Sequence, residues 1–444
     1  MSKDTLSESN TFSSDNGSSR RTKNHKYIPM QPLEVETTTN ENIVQQANTR
    51  CNHHTTHHQI LVSINICVLC IFLSLSIKTW TTTTNDPSPP SSSYRTDTLP
   101  SSPSSLTKCQ GNNPKSTIKV IFDMPFSALF NTINLHGRRK FEASDITVLE
   151  NNGRRHAYVV HDSLWALSRI DLESMIPLSP RHVQVESDVV REGESDYEGL
   201  FHHDSLFYAI RESIEFNKKG DHRPLVDKGY HAVIEELDIA DDDGTYSVLD
   251  SCPSEFTFET YNKGLEGVVG VVDDKSGELH LLGLCEANDC KKSHQDKPGN
   301  GKILVMKKII VGDACVWKTV NVLSIPNTAM FHDYSAIAIK SDGTVAISSQ
   351  EDSALWIGKL TNTNDASKLA FDESFDGRVY RFPVSNDGCD VLYCNVEGLY
   401  FLSDDILVGV SDKMKSKGKQ HGRCLEKDQS IHLFALPYTK GDPL

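Results

Sequence analysis

From Cys109 onward the apolar residues fall into short runs separated by Gly, Asn, Asp and Ser, and no 3.6-residue period persists beyond about three turns. One phrase recurs among these runs: a turn, a glutamate, a glycine and then an apolar strand. It reads Asp196-Tyr-Glu198-Gly199-Leu-Phe, Asn262-Lys-Gly-Leu-Glu266-Gly267-Val-Val and Asn395-Val-Glu397-Gly398-Leu-Tyr-Phe. Weaker echoes stand at Glu142-Ala-Ser144-Asp145-Ile-Thr and Asp333-Tyr-Ser335-Ala336-Ile-Ala. The copies lie about 60 residues apart, and strand repeats on that scale are how propeller blades announce themselves. Second strands follow at 157–160, 205–210, 278–284, 344–348 and 406–410, and third strands at 164–168, 230–234, 303–306, 354–357 and 431–436. The pattern predicts an all-β fold, a β-propeller of five four-stranded blades, with the longer intervals leaving room for a sixth. The last repeat runs out of chain after its third strand, and 118–122 is the candidate to complete it and close the ring.

The chain ahead of Cys109 reads differently. Residues 1–58 are rich in Ser, Thr, Asn and charge without apolar periodicity, as in a disordered tail. Residues 60–77 are uncharged and apolar, roughly 27 Å of helix, which predicts one transmembrane helix over 59–78. Six basic residues precede this span, and Lys78, Arg95 and Lys108 follow it. That bias predicts a type II signal anchor in the secretory pathway or at the cell surface. Residues 79–108 form a Ser/Thr/Pro stalk, and 109–444 the propeller domain.

Charge and cysteines narrow the classes. Residues 1–108 hold 9 Lys/Arg and 8 Asp/Glu, so 36 against 52 remain beyond them, a net of −16. Such a body argues against a nucleic-acid partner and favours a cation or a basic ligand. Eight of the 11 cysteines lie beyond the span, which fits disulfides in an oxidising lumen, Cys285/Cys290 and Cys389/Cys394 being the nearest pairs.

The chemistry rides on the repeat. An acid stands at or just past the end of each second strand, at a similar remove from each phrase: Asp162, Glu212, Glu286, Glu351 and Asp412. In a propeller the innermost strand starts at one mouth and the second returns to it. These five are therefore expected as ligand-binding residues beside Glu198, Glu266 and Glu397 as metal ligands. Crowded carboxylates repel unless protonated or bridged by a cation, and oxygen-only ligands suit Ca²⁺. The cation would be structural or would hold a phosphorylated ligand. His202-His203-Asp204 reads as a surface turn, and no G-x-S-x-G elbow is present.

The repeat phrases resemble those of the SdiA-regulated propeller family and are similar to the Asn-x-Gly-x-Glu-Gly phrase of the propellers termed esterase-like activity of phytase. The resemblance covers residues 140–437 and departs at Ser144-Asp145 and Ser335-Ala336. It implies a propeller, with a metal-assisted phosphoester or ester hydrolase of phytase-like type as the alternative activity. The acidic mouth, with no nucleophile or general base that distinguishes itself, makes a Ca²⁺-stabilised binding or scaffold module the favoured expectation.

Overall fold

The computed structural model describes residues 113, 115–130, 141–216, 225–240, 244–261, 263–294, 297–385, 391–413 and 427–437. The chain divides into two units, Met1–Pro103 and Ser104–Leu444, and every described residue belongs to the second. The expected tail, membrane span and stalk lie outside the described residues, as do Cys109, Cys389 and Cys424. Among the described residues no helix is long and apolar enough to cross a membrane.

The fold is all-β. In chain order the strands are β1 (Lys119–Pro125); β2 (Ala143–Asn151), β3 (Arg154–His161), β4 (Leu164–Asp171) and β5 (Val183–Ser187); β6 (Tyr197–His203), β7 (Leu206–Phe216), β8 (Gly229–Ile239) and β9 (Thr245–Pro253). Then come β10 (Leu265–Val272), β11 (Leu279–Cys285), β12 (Lys302–Val311) and β13 (Ala314–Ser324); β14 (Ala336–Ile339), β15 (Thr344–Ser349), β16 (Ala354–Thr361), β17 (Ala370–Phe371) and β18 (Arg378–Arg381); and β19 (Val396–Phe401), β20 (Ile406–Ser411) and β21 (Ser430–Ala435). A one-turn helix, α1 (Phe126–Leu129), follows β1.

Successive strands pair antiparallel as meanders. The innermost strands β2, β6, β10, β14 and β19 meet one another in a cycle: β2 touches β6 and β19, β10 touches β6 and β14, and β14 touches β19. Closure is non-local, as 118–122 led us to expect. β1 pairs antiparallel with β21, from Lys119 opposite Ala435 to Pro125 opposite Ser430. Buried apolar clusters fill the wedges between neighbouring meanders; one packs Ile210 and Ile234 against Leu281, Leu304 and Trp317.

The hydrogen-bonded sheets depart from a uniform set of four-stranded blades: they contain four, four, five and eight strands. The eight-stranded sheet arises because outer strands β5 and β9 pair in parallel over Glu186–Thr245 and Ser187–Tyr246. In the five-stranded sheet the outer side of β16 pairs with both β17 and β18. Both departures lie at outer edges, where unpaired N–H and C=O groups recruit whatever chain passes.

Glycines in the phrase serve close approach. A Cβ on Gly199 would lie 3.1 Å from Val268 Cγ1, and one on Gly267 3.3 Å from the Ile337 nitrogen. At Gly398 it would lie 2.7 Å from the Asp145 Cα, so no larger residue fits between β19 and β2.

Cys285 and Cys290 form a disulfide, the expected local pair. Cys394 is also disulfide-bonded, and Cys389, the partner expected for it, lies outside the described residues. The bridge that pattern alone does not disclose is Cys252–Cys315, 63 residues apart, which ties β9 to β13 across two outer edges. Replacing both cysteines with serine is expected to lower stability by roughly 2–4 kcal/mol, because the unfolded chain regains a long loop. The check is the urea midpoint, and an unchanged midpoint would show that this interface stands without its staple.

Candidate functional site

Each phrase glutamate sits at a β-bulge. Register slips between Tyr197 and Gly199, between Leu265 and Gly267, and between Val396 and Gly398, leaving Glu198, Glu266 and Glu397 as the extra residues. The same slip occurs around Ser144 in β2. A bulge re-aims the side chain it carries. In the phrase it turns three glutamates out of the pleat at the start of the innermost strands, where all three are buried.

The acids after the second strands are fixed at the same end. Backbone N–H groups of Asp162, Glu212, Glu286 and Asp412 donate to the carbonyls of Glu142, Asp196, Gly264 and Asn395, at 2.8, 2.7, 3.3 and 2.9 Å. Each acceptor lies two residues before the bulge position. In the fourth repeat the Asp333 side chain takes over, accepting the Glu351 N–H at 3.1 Å. The second strand does not always stop at its acid: β7 runs through Glu212 to Phe216, with a register slip between Arg211 and Ile214.

Several of these carboxylates share one field. Burial pushes Glu198 well up from the ordinary carboxylate value, and the charges of Glu266, Asp162, Glu212 and Glu397 push it further. Burial raises Glu212 to about 8, with Glu286, Asp162 and Asp196 adding and Lys263 opposing. Carboxylate oxygens of Glu212, Glu266 and Glu286 lie within 4.8 Å of one another. Lys263 is the resident counter-charge: its ammonium binds Glu286 Oε1 and is held protonated by Glu286 and Glu266 against its own burial. Glu286 Oε2 is buried and has no hydrogen-bond partner among the described residues.

Glu351 stands apart. It is exposed, whereas Asp333, at the head of the degenerate phrase, is 3% exposed and raised to about 7 by burial, against the hydrogen bond from Ser349 and with help from Glu351 and Glu286. Asp333 thus takes the buried place at which pattern matching puts Glu351. Asp412 is buried beside β19.

Two residues escaped the pattern. Lys263 lies inside the clearest phrase but reads there as a turn residue. Asp145 occupies the glycine position of the first phrase, 1% exposed, with its carboxylate accepting the N–H groups of Ile146 and Leu200 at 2.8 Å each, and that of Val268. Burial drives its pKa well up, and the three donors pull the other way. No serine or histidine forms an accessible nucleophilic pair among the described residues. His161–Ser168 and His432–Ser411 are hydrogen-bonded at 2.7 and 2.8 Å but almost fully buried, and burial lowers both imidazoles to about 3.

No protein-family model and no curated protein matches this chain. Among solved structures it is similar to the PQQ-bound aldose sugar dehydrogenase from Streptomyces coelicolor, at 14% identity and TM-score 0.35, over 73% of this chain and 99% of that one. It is also similar to a GH43_1 enzyme from Xanthomonas citri, at 9% identity and TM-score 0.36, over 71% of this chain and 89% of that one. Likenesses this distant carry no chemistry across to this chain.

Proposed function

We propose that this chain is a five-bladed propeller whose acidic mouth binds a divalent cation, Ca²⁺ by preference, and through it a ligand. The count is supported by the cycle of innermost strands and by reading the eight-stranded sheet as two blades joined at their rims. The cation reading rests on one observation: Glu212, Glu266 and Glu286 offer carboxylate oxygens within 4.8 Å of one another. Ligands about 2.4 Å from a calcium ion can be separated by up to about 4.8 Å, so the three fit around one ion. Glu198 and Glu397 stand next in the field, and an oxygen-only set disfavours zinc. A cation would also offset the burial and the like-charge repulsion that together raise the Glu198 and Glu212 carboxyls. In this reading the propeller is a binding or scaffold module, carried on a type II single-pass anchor in the secretory pathway or at the cell surface.

Calorimetric titration of the chelator-treated chain tests it. Heat of Ca²⁺ binding is expected, with a rise in melting temperature equivalent to about 2.7 kcal/mol at a hundredfold excess over Kd. Glu266→Gln is expected to weaken binding at least tenfold, about 1.4 kcal/mol, because one charged ligand is gone. A chain that neither takes up Ca²⁺ nor Mg²⁺ nor changes its melting temperature ends the proposal. Cation-dependent turnover of a generic phosphoester that disappears in Glu266→Gln would make the site catalytic.

A further inference from the structure

The innermost strands have a second end. Three to four residues beyond Glu198 and Glu397, roughly 10–13 Å along the strands, they border a cavity of about 380 Å³. Residues of all of the innermost strands contribute to its wall, which places it on the central axis. Asp145 stands between this cavity and the acidic mouth, its carboxylate joined to the N–H groups of Leu200 and Val268 across three innermost strands. The two ends are lined by different residues.

Their chemistry is opposite. Among the described residues none that lines the cavity is acidic, although the chain beyond residue 108 carries a net charge of −16. Its polar lining residues are Lys340, Thr147, Ser341, Thr363 and His202, and the Lys340 ammonium also lies over the Phe401 ring, 5.8 Å from its centroid. Burial lowers His202, helped by the neighbouring His203, so the ring is neutral near pH 7. Phe201 and Tyr400 supply aromatic surface. Lys340 is 14% exposed and binds Asp404 Oδ1 at 2.7 Å, but the Asp404 side chain is 80% exposed. A carboxylate so open to water is a weak, replaceable partner.

We propose that this chamber is a second binding site, for a small organic anion. A carboxylate or phosphate head would sit on Lys340 and the surrounding hydroxyls, with an aromatic or apolar body against Phe201 and Tyr400. A volume of this size suits a ligand of metabolite dimensions. The proposal is independent of the cation site, since it uses none of the same residues.

Saturation-transfer NMR on the full chain, with benzoate, phenyl phosphate and benzyl alcohol as probes, tests it. Benzoate or phenyl phosphate is expected to bind at least tenfold more tightly than benzyl alcohol, and the better of the two identifies the head group. Lys340→Gln is expected to weaken the anion about tenfold or more. Asp404→Asn, a change at an exposed side chain that leaves the fold intact, is expected to tighten it two- to fivefold by freeing the ammonium. Glu266→Gln is expected to leave it unchanged. Equal binding of benzyl alcohol, an anion affinity indifferent to Asp404→Asn, or no binding of either anion up to about 10 mM would overturn the proposal.

Discussion

Asp145→Ala is expected to destabilise the domain by roughly 3–6 kcal/mol, more than any single change at the acidic mouth, because each buried donor left unmatched costs about 1–3 kcal/mol. Removing the carboxylate strips the N–H groups of Ile146, Leu200 and Val268 of their shared acceptor. Asp145→Asn keeps one acceptor oxygen but turns an amide N–H₂ toward backbone donors, so it is expected to fall between wild type and alanine. Urea denaturation of the three proteins gives the ranking. An alanine variant within about 1 kcal/mol of wild type would mean that water satisfies those donors and that the hub is dispensable.

Cation affinity is expected to climb steeply with pH between about 6 and 8, close to tenfold per unit, and to level off above that. Glu212 is raised from 4.5 to about 8, chiefly by burial, so a cation must displace its proton to bind. The linkage has a definite sign. A carboxyl whose folded pKa exceeds its unfolded value contributes stability that is fully present below about 4.5 and is lost as pH rises through about 8. The cation-free chain is therefore expected to lose melting temperature from pH 6.5 to pH 8.5, and the Ca²⁺-loaded chain to hold steady. The buried imidazoles of His161 and His432, lowered to about 3, act in the opposite window: they withdraw stability as pH falls below 6.5. Glu212→Gln is expected to make the affinity profile shallower and to reduce the alkaline loss, of which the raised Glu198 and Asp333 carboxyls keep a share. A profile that stays flat in the wild type would count against Glu212 as a ligand.

Much of the architecture was legible as periodicity. Glu-Gly phrases marked the start of β6, β10 and β19, and the apolar run at 118–122 marked the strand that pairs with β21. Local pattern sufficed there because an innermost strand buried on both faces must be apolar, and a glycine is required where two backbones meet. The degenerate phrases were harder. Asp145 and Ser335 preserve the positions of the pattern and change its chemistry, so the departures in sequence were visible while their consequences were not. At Asp145 the consequence depends on Leu200 in β6 and Val268 in β10, each in a different repeat from its own.

What the sequence determined by itself was the repeat: where the first three strands of each repeat fall, that an acid returns near each phrase, and that the body is acidic. Those are local properties, written in residues a few positions apart. The tertiary structure decided which acids meet. It brought Glu212, Glu266 and Glu286 within 4.8 Å, exposed Glu351 in favour of Asp333, and laid Lys263 on Glu286. It also joined Cys252 to Cys315 and gathered Lys340, His202 and Tyr400 around one cavity. Each of these depends on the angle between sheets and the register of bulges, which arise from packing among strands distant in the chain.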